Sequence, residues 1–122
     1  MGGFGANIMS FNQPIGSWDM SSALDITAMF EFGVFNQPLN NWSVENVQEM
    51  ERTFKDADFF NQPLNNWNVS NVVEMDSMFE NAKAFNQDLT DWCVEHIQTE
   101  PVDFSTGSIL DPNNKPNFGA PC

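Results

Sequence analysis

The side chains best suited to nucleophilic or metal chemistry in this chain are Cys93, His96 and Cys122. Cys93 and His96 stand three residues apart, and an imidazole beside a thiol can draw its proton and make it a nucleophile. That chemistry requires Cys93 to be free. Two cysteines and a single histidine also fall short of the four-ligand spacing of a structural zinc site. No glycine-rich phosphate loop and no His-Glu-x-x-His pattern is present. Acids are the other possibility. Asp56, Asp58, Glu80 and Asp88 fall near turn-forming residues, beside asparagines that offer further oxygens. Calcium takes about six to eight oxygens gathered at one point, and neither EF-hand spacing nor a GGxGxD repeat occurs. The acids read as a solvated face. The expectation is a non-enzymatic protein without a cofactor, with calcium the one cation left open.

Composition narrows the partners. The chain has 122 residues, the length of one domain, and 41% of them are hydrophobic, enough for a packed core. Twelve Phe and four Trp occur without a single Tyr, so rings serve as filler. Seventeen acidic residues against four basic ones give a net charge of −13. Such a surface repels a phosphate backbone, which excludes nucleic acid as a partner. No apolar run approaches the roughly 20 residues of a membrane span, so direct membrane insertion is not expected. The opening MGGFGANIMS lacks the basic stretch and apolar run of a secretory leader. Two readings follow: a cytoplasmic protein, or the mature part of a secreted one.

The elements that would position any site come from a repeat. FNQP stands at Phe11–Pro14, Phe35–Pro38 and Phe60–Pro63, and FNQD at Phe85–Asp88. Trp18, Trp42, Trp67 and Trp92 follow at spacings of 24, 25 and 25. Two positions past each Trp comes Met20, Val44, Val69 or Val94, and five past comes Ala23, Val47, Val72 or Ile97. The Trp-x-Val alternation reads as a short strand. Val47, Met50, Phe54 and Ala57, like Val72, Met75, Phe79 and Ala82, recur at helical spacing. Asn46 with Glu49, Asn71 with Glu74, and Ser22 with Asp25 resemble capping boxes; His96 occupies the fourth cap position. Each unit thus reads as strand, turn, short helix and FNQP return, and units must stack to bury their stripes. Stacking would superpose Trp18, Trp42, Trp67 and Trp92, and set Asn12, Asn36, Asn61 and Asn86 in an amide ladder serving backbone groups at the bend.

The segments MFENAKAFNQDL and WNVSNVVEM resemble a bacterial surface-protein repeat of about 25–26 residues, the BspA-like leucine-rich repeat of bacterial and mycoplasma surface lipoproteins, whose unit reads MFxxAxxFNQxLxxWxVSNVxxM. The resemblance covers roughly residues 8–122. It implies a right-handed leucine-rich-repeat-like α/β solenoid, about four coils of short parallel strand plus short helix, at the cell surface. It implies roles in adhesion, and it brings no catalytic residues. The repeats would occupy about 11–34, 35–59, 60–84 and 85–100 within a 1–100 solenoid. The first coil departs from the pattern, because GGFGANIMS stands where MFxxA is expected. A tail at 101–122 would cap the last coil.

On that arrangement the strand face opposite the Trp–Val row carries polar columns. Asn41, Ser43, Glu45, Asn66, Asn68, Ser70 and Asp91 become the candidate binding residues, for a protein or a glycan. The same face could instead be merely solvated in a structural spacer. Cys93 sits between Trp92 and Val94 and Cys122 ends the chain, so a disulfide between them would pin the tail, whereas two free thiols would suit a cytoplasmic protein-interaction module. Oligomeric state is not set by the sequence.

Overall fold

The computed structural model describes residues 11–122. Each repeat forms one tier, and equivalent residues lie above one another. Phe11, Phe35, Phe60 and Phe85 make one ring column, with centroids 5.9, 6.2 and 5.8 Å apart. Phe30, Phe54 and Phe79 make a second, at 5.5 Å per step. Each ring of the second column touches the ring that opens the next repeat, Phe30 on Phe35, Phe54 on Phe60 and Phe79 on Phe85, at 4.3 Å. The indoles of Trp42, Trp67 and Trp92 form a third column, 6.3 and 6.4 Å apart and within 2° of parallel. Trp18, in the first tier, is 39% exposed. The expected incompleteness of the first coil falls largely on residues 1–10, outside the described residues.

The tiers are not strand-and-helix units. Among the described residues the only helix is the three-residue 3-10 turn Pro112–Asn114. Strand pairing among the described residues is limited to two isolated parallel bridges, Asp25 to Glu49 and Glu49 to Glu74. The expected leucine-rich-repeat-like α/β solenoid is therefore overturned. Trp-x-Val is not a strand, and the Val47–Ala57 stripe is not a helix.

The backbone is instead a series of tight turns. The N–H groups of Met29, Thr53, Met78 and Phe104 donate to the carbonyls of Ile26, Met50, Met75 and Pro101. The third residue of each turn is left-handed: Ala28, Arg52, Ser77 and Asp103, with φ of 57°, 54°, 59° and 54°. An i to i+3 bond with positive φ at the third position is the signature of a type II turn. Further along, Ala57 donates to Phe54, Ala82 to Phe79 and Ser108 to Ser105, around left-handed Asp56, Asn81 and Gly107.

Alternate amides leave the tier altogether. Ala28, Phe30 and Phe32 donate to the carbonyls of Glu51, Thr53 and Lys55; Arg52, Phe54 and Asp56 to Asp76, Met78 and Glu80; Ser77, Phe79 and Asn81 to Val102, Phe104 and Thr106, all at 2.8–3.0 Å. A helix would return each amide to its own segment four residues back. Turns laid end to end still bring Val47, Met50, Phe54 and Ala57 inward, each fully buried. A 3, 4, 3 spacing thus arises without a helix. The supposed caps follow suit: the Asn46 and Asn71 side-chain amides donate to the carbonyls of Ser21 and Glu45, one tier away, at 2.7 Å.

At the FNQP bend the asparagines do the joining. The backbone N–H of Asn36, Asn61, Asn86 and Asp111 donates to the side-chain oxygen of Asn12, Asn36, Asn61 and Asn86 in turn, at 2.8–3.1 Å. Gln37, Gln62 and Gln87 add amide bonds to the same asparagines. Opposite them, the carbonyls of Ile15, Leu39 and Leu64 accept the indole N–H of Trp42, Trp67 and Trp92 at 2.8–2.9 Å. Those carbonyls also accept the backbone N–H of Trp18, Trp42 and Trp67.

The C-terminal tail continues the pattern and then ends it. Pro101 opens the fourth of these turns. Ser105 takes the place of the second ring column and Leu110 that of the first. Phe104 meets Phe79 edge-on, at 79°, and Phe118 meets Phe104 at 80°, so the parallel stacks finish in two crossed rings.

The turn assignment has a sharp test. Arg52 is exposed and left-handed. An L-residue there costs about 1–2 kcal/mol, and glycine gives back about 0.5–1 in chain entropy. Arg52→Gly should therefore raise the urea-unfolding free energy by roughly 0.5–1 kcal/mol. In a helix the same change would lower it by about 1 kcal/mol.

Candidate functional site

The seven polar residues singled out from the sequence are all exposed. Asn41, Ser43, Glu45, Asn66 and Asn68 share one groove of about 240 Å³ on the second and third tiers, floored by Trp42 and Val44. Ser70 and Asp91 lie outside it. Ser70 borders a shallow depression with Glu95, His96 and Gln98, and Asp91 borders another with Thr90 and Asn117. The face is thus divided. A larger hollow of about 660 Å³ opens on the first tier beside Trp18, Met20 and Leu24, but it exposes an end of the core rather than a set of converging polar groups.

Within the groove, some side chains are already committed. The Asn68 oxygen accepts both the N–H and the O–H of Ser70, at 3.1 and 2.6 Å. Asn40 donates to Asn65 and accepts from the Asn66 N–H, which fixes the groove's edge. The side chains of Asn41, Ser43, Glu45 and Asn66 make no hydrogen bond among the described residues. They present two amides, a hydroxyl and a carboxylate to solvent, on a backbone held by turns on both sides.

Two further aspartates repeat the Asn68 device. Asp19 caps Ser21, and Asp88 caps Thr90, each through N–H and O–H together. The hydroxyl bond and then the amide bond hold both carboxyls below their ordinary value. Asp25 is lowered by Thr27 in the same way. Glu74 goes the other way, pushed up by burial and then by Asp76, Glu51 and Glu49. Among the described residues no three Asp, Glu, His or Cys side chains converge on a point where a metal could sit. Asp56, Asp58, Glu80 and Asp88 form no such cluster.

Cys93 and Cys122 are joined in a disulfide, with Cα atoms 5.6 Å apart. The thiol that a Cys93–His96 pair would need is therefore spent. His96 instead places Nε2 2.7 Å from the Val72 carbonyl, a tier-to-tier contact like those of Asn46 and Asn71. Around the disulfide, the Gly119 N–H donates to the Val94 carbonyl and the Cys122 N–H to the Glu95 carboxylate. Sequence reasoning missed that the tail is a worn fifth copy. Asp111-Pro112 stands 25 residues after Asn86-Gln87, and that offset was the available signal.

A family model described as a mycoplasma protein of unknown function, DUF285, matches residues 1–113. The chain belongs to that family. It is a bacterial repeat family of surface type, and the match is to it rather than to the BspA-like group. No curated protein and no solved structure matches. Disulfides persist in oxidising surroundings, so the Cys93–Cys122 bond and the family agree on an extracellular setting.

Reduction of the disulfide, which closes a loop of 29 residues, should lower the unfolding free energy by about 3–4 kcal/mol in the chain-entropy model. Urea titrations with and without reductant measure this. Acid gives a second test. A carboxyl whose folded pKa is depressed stabilises the fold above its unfolded pKa, and that contribution is lost as pH falls through the folded value. Stability should therefore decline as pH falls below the ordinary aspartate value of 3.8. Asp88→Asn, which keeps the accepting oxygen, should show a smaller decline in the same titration.

Proposed function

We propose that this protein is a non-enzymatic module displayed outside the cell, and that it binds an uncharged polar or basic ligand, a glycan or a protein segment, in the groove between the second and third tiers. The observation that supports this reading is the set of four uncommitted side chains, Asn41, Ser43, Glu45 and Asn66, held on a rigid turn backbone. Amides and hydroxyls of this kind exchange hydrogen bonds with sugar hydroxyls or peptide groups at little cost in ordering. The net charge of −13 favours a ligand without negative charge. Catalysis has no support: the only histidine contacts a backbone carbonyl, and both sulfurs are in the disulfide.

A second reading is a structural spacer. It draws on the bonds that spend Asn12, Asn36, Asn61 and Asn86 on the stack itself. A cytoplasmic module is disfavoured by the disulfide.

Ser43→Arg combined with Asn66→Arg separates the two. Neither side chain holds a turn, whereas Asn68→Arg would also release Ser70. Binding to a glycan array and to a panel of extracellular-matrix proteins should fall at least about tenfold, the loss of 1.4 kcal/mol, with unchanged melting. Equal binding by variant and parent, or none by either, supports the spacer.

A further inference from the structure

One outer column of the stack is apolar. Val34, Phe59, Ala84 and Ile109 precede Phe35, Phe60, Phe85 and Leu110, so they lie above one another as those core positions do. Ile109 keeps the register, because the Asp111 N–H bonds Asn86 as the Asn86 N–H bonds Asn61. Phe59 and Ile109 are 56% and 57% exposed, Val34 is 37% exposed, and Ala84 is half-buried. Single exposed apolar residues are ordinary, but four at one repeat position make a continuous stripe along the stack. Its centre, between Phe59 and Ala84, lies at least two tiers from Phe11, where the described residues begin. The column beside it carries two exposed charges, Asp58 and Lys83. Among the described residues Asp58 has no hydrogen bond or ion pair, and Lys83 reaches only the Gly107 carbonyl, at 3.4 Å.

We propose that this stripe is the contact face of a dimer, in which two copies of the chain lie side by side with their tiers running in opposite directions. A two-fold axis across the stripe, midway between Phe59 and Ala84, brings each column against itself in reverse order. Phe59 then meets Ala84 of the second copy, the largest side chain of the column against the smallest. Val34 meets Ile109 at either end. In the neighbouring column Asp58 faces Lys83 of the second copy, and Lys83 faces Asp58. On the other side of the stripe Asn61 opposes Asn86, and Asn36 opposes Asp111. No acid faces an acid in any of these three columns.

Size and charge also select the register. An axis moved onto Phe59 sets ring on ring and Asp58 on Asp58. An axis moved onto Ala84 sets Lys83 on Lys83. Parallel copies would set Phe59 on Phe59 and leave both charges unmatched. Like charges brought together in this way count against the wrong pairing as much as opposite charges favour the right one. The contact is isologous, so it ends at two copies. The overall charge of −13 on each copy opposes association, and salt relieves that opposition.

Sedimentation velocity on the oxidised protein up to millimolar concentration, in moderate salt, reads the association, and the same runs on three variants locate it. The expected result is a monomer–dimer equilibrium that stops at two copies. Phe59→Ser and Lys83→Asp both alter exposed side chains outside the core. Each should raise the dissociation constant at least about tenfold, because the axis repeats every contact. Adding Asp58→Lys to Lys83→Asp exchanges the two charges and should restore dimerisation to within about threefold of the parent. A protein that stays monomeric at the highest concentration overturns the proposal and leaves the stripe to a different partner. Association beyond two copies overturns it too. So does a dimer indifferent to either single variant, or one that the charge exchange fails to restore.

Discussion

Everything in this molecule depends on where alternate amides go. In a helix each N–H finds its carbonyl within the same segment, and in a sheet each strand satisfies its neighbour. Here a turn closes on itself with one amide and hands the next to the tier beyond, as Met29 and Phe30 do. A single tier would consequently leave these alternate amides unsatisfied and cannot stand in isolation. The ring columns make the same demand in apolar terms. Phe54 is fully buried because Phe30 and Phe79 lie on either side of it.

The asparagines extend that logic to the bend. A chain reversing direction leaves amides without regular partners, and a side-chain oxygen held at a fixed place meets them. Asn36 receives the Asn61 N–H and the Gln62 amide on one oxygen. Polar residues that might have met a ligand are thus used in construction. At the outer edge the Asn41 and Asn66 side chains escape this duty.

Much of this was legible in the sequence. The 24- and 25-residue spacings of Trp and Phe identified the repeating unit, and the positions of Cys93 and Cys122 pointed to the bond that joins them. The secondary structure was not legible, for a specific reason. Left-handed positions are normally betrayed by glycine or asparagine, but here they are filled by Ala28, Phe32, Arg52, Asp56 and Ser77. The strain at each is outweighed by inter-tier bonds that no local window contains. With that signal missing, Val47, Met50, Phe54 and Ala57 matched the helical period equally well. Asn81, Gly107 and Gly119 obey the usual rule, and at Gly107 a side chain would also collide with Asn81. The groove was partly legible: the polar columns were correctly placed on the surface, but their division between separate depressions depends on turn geometry.

The amide oxygen of Asn36 binds residues 25 and 26 positions away, and the same offset governs Asn61 and its partners. Because the contacts between tiers repeat at the same offset, deleting or duplicating a whole copy removes or adds a storey and leaves each surviving partner with a counterpart. Unequal exchange between the coding segments of successive repeats would then yield taller or shorter proteins that still fold, a ready source of length variation at a bacterial surface.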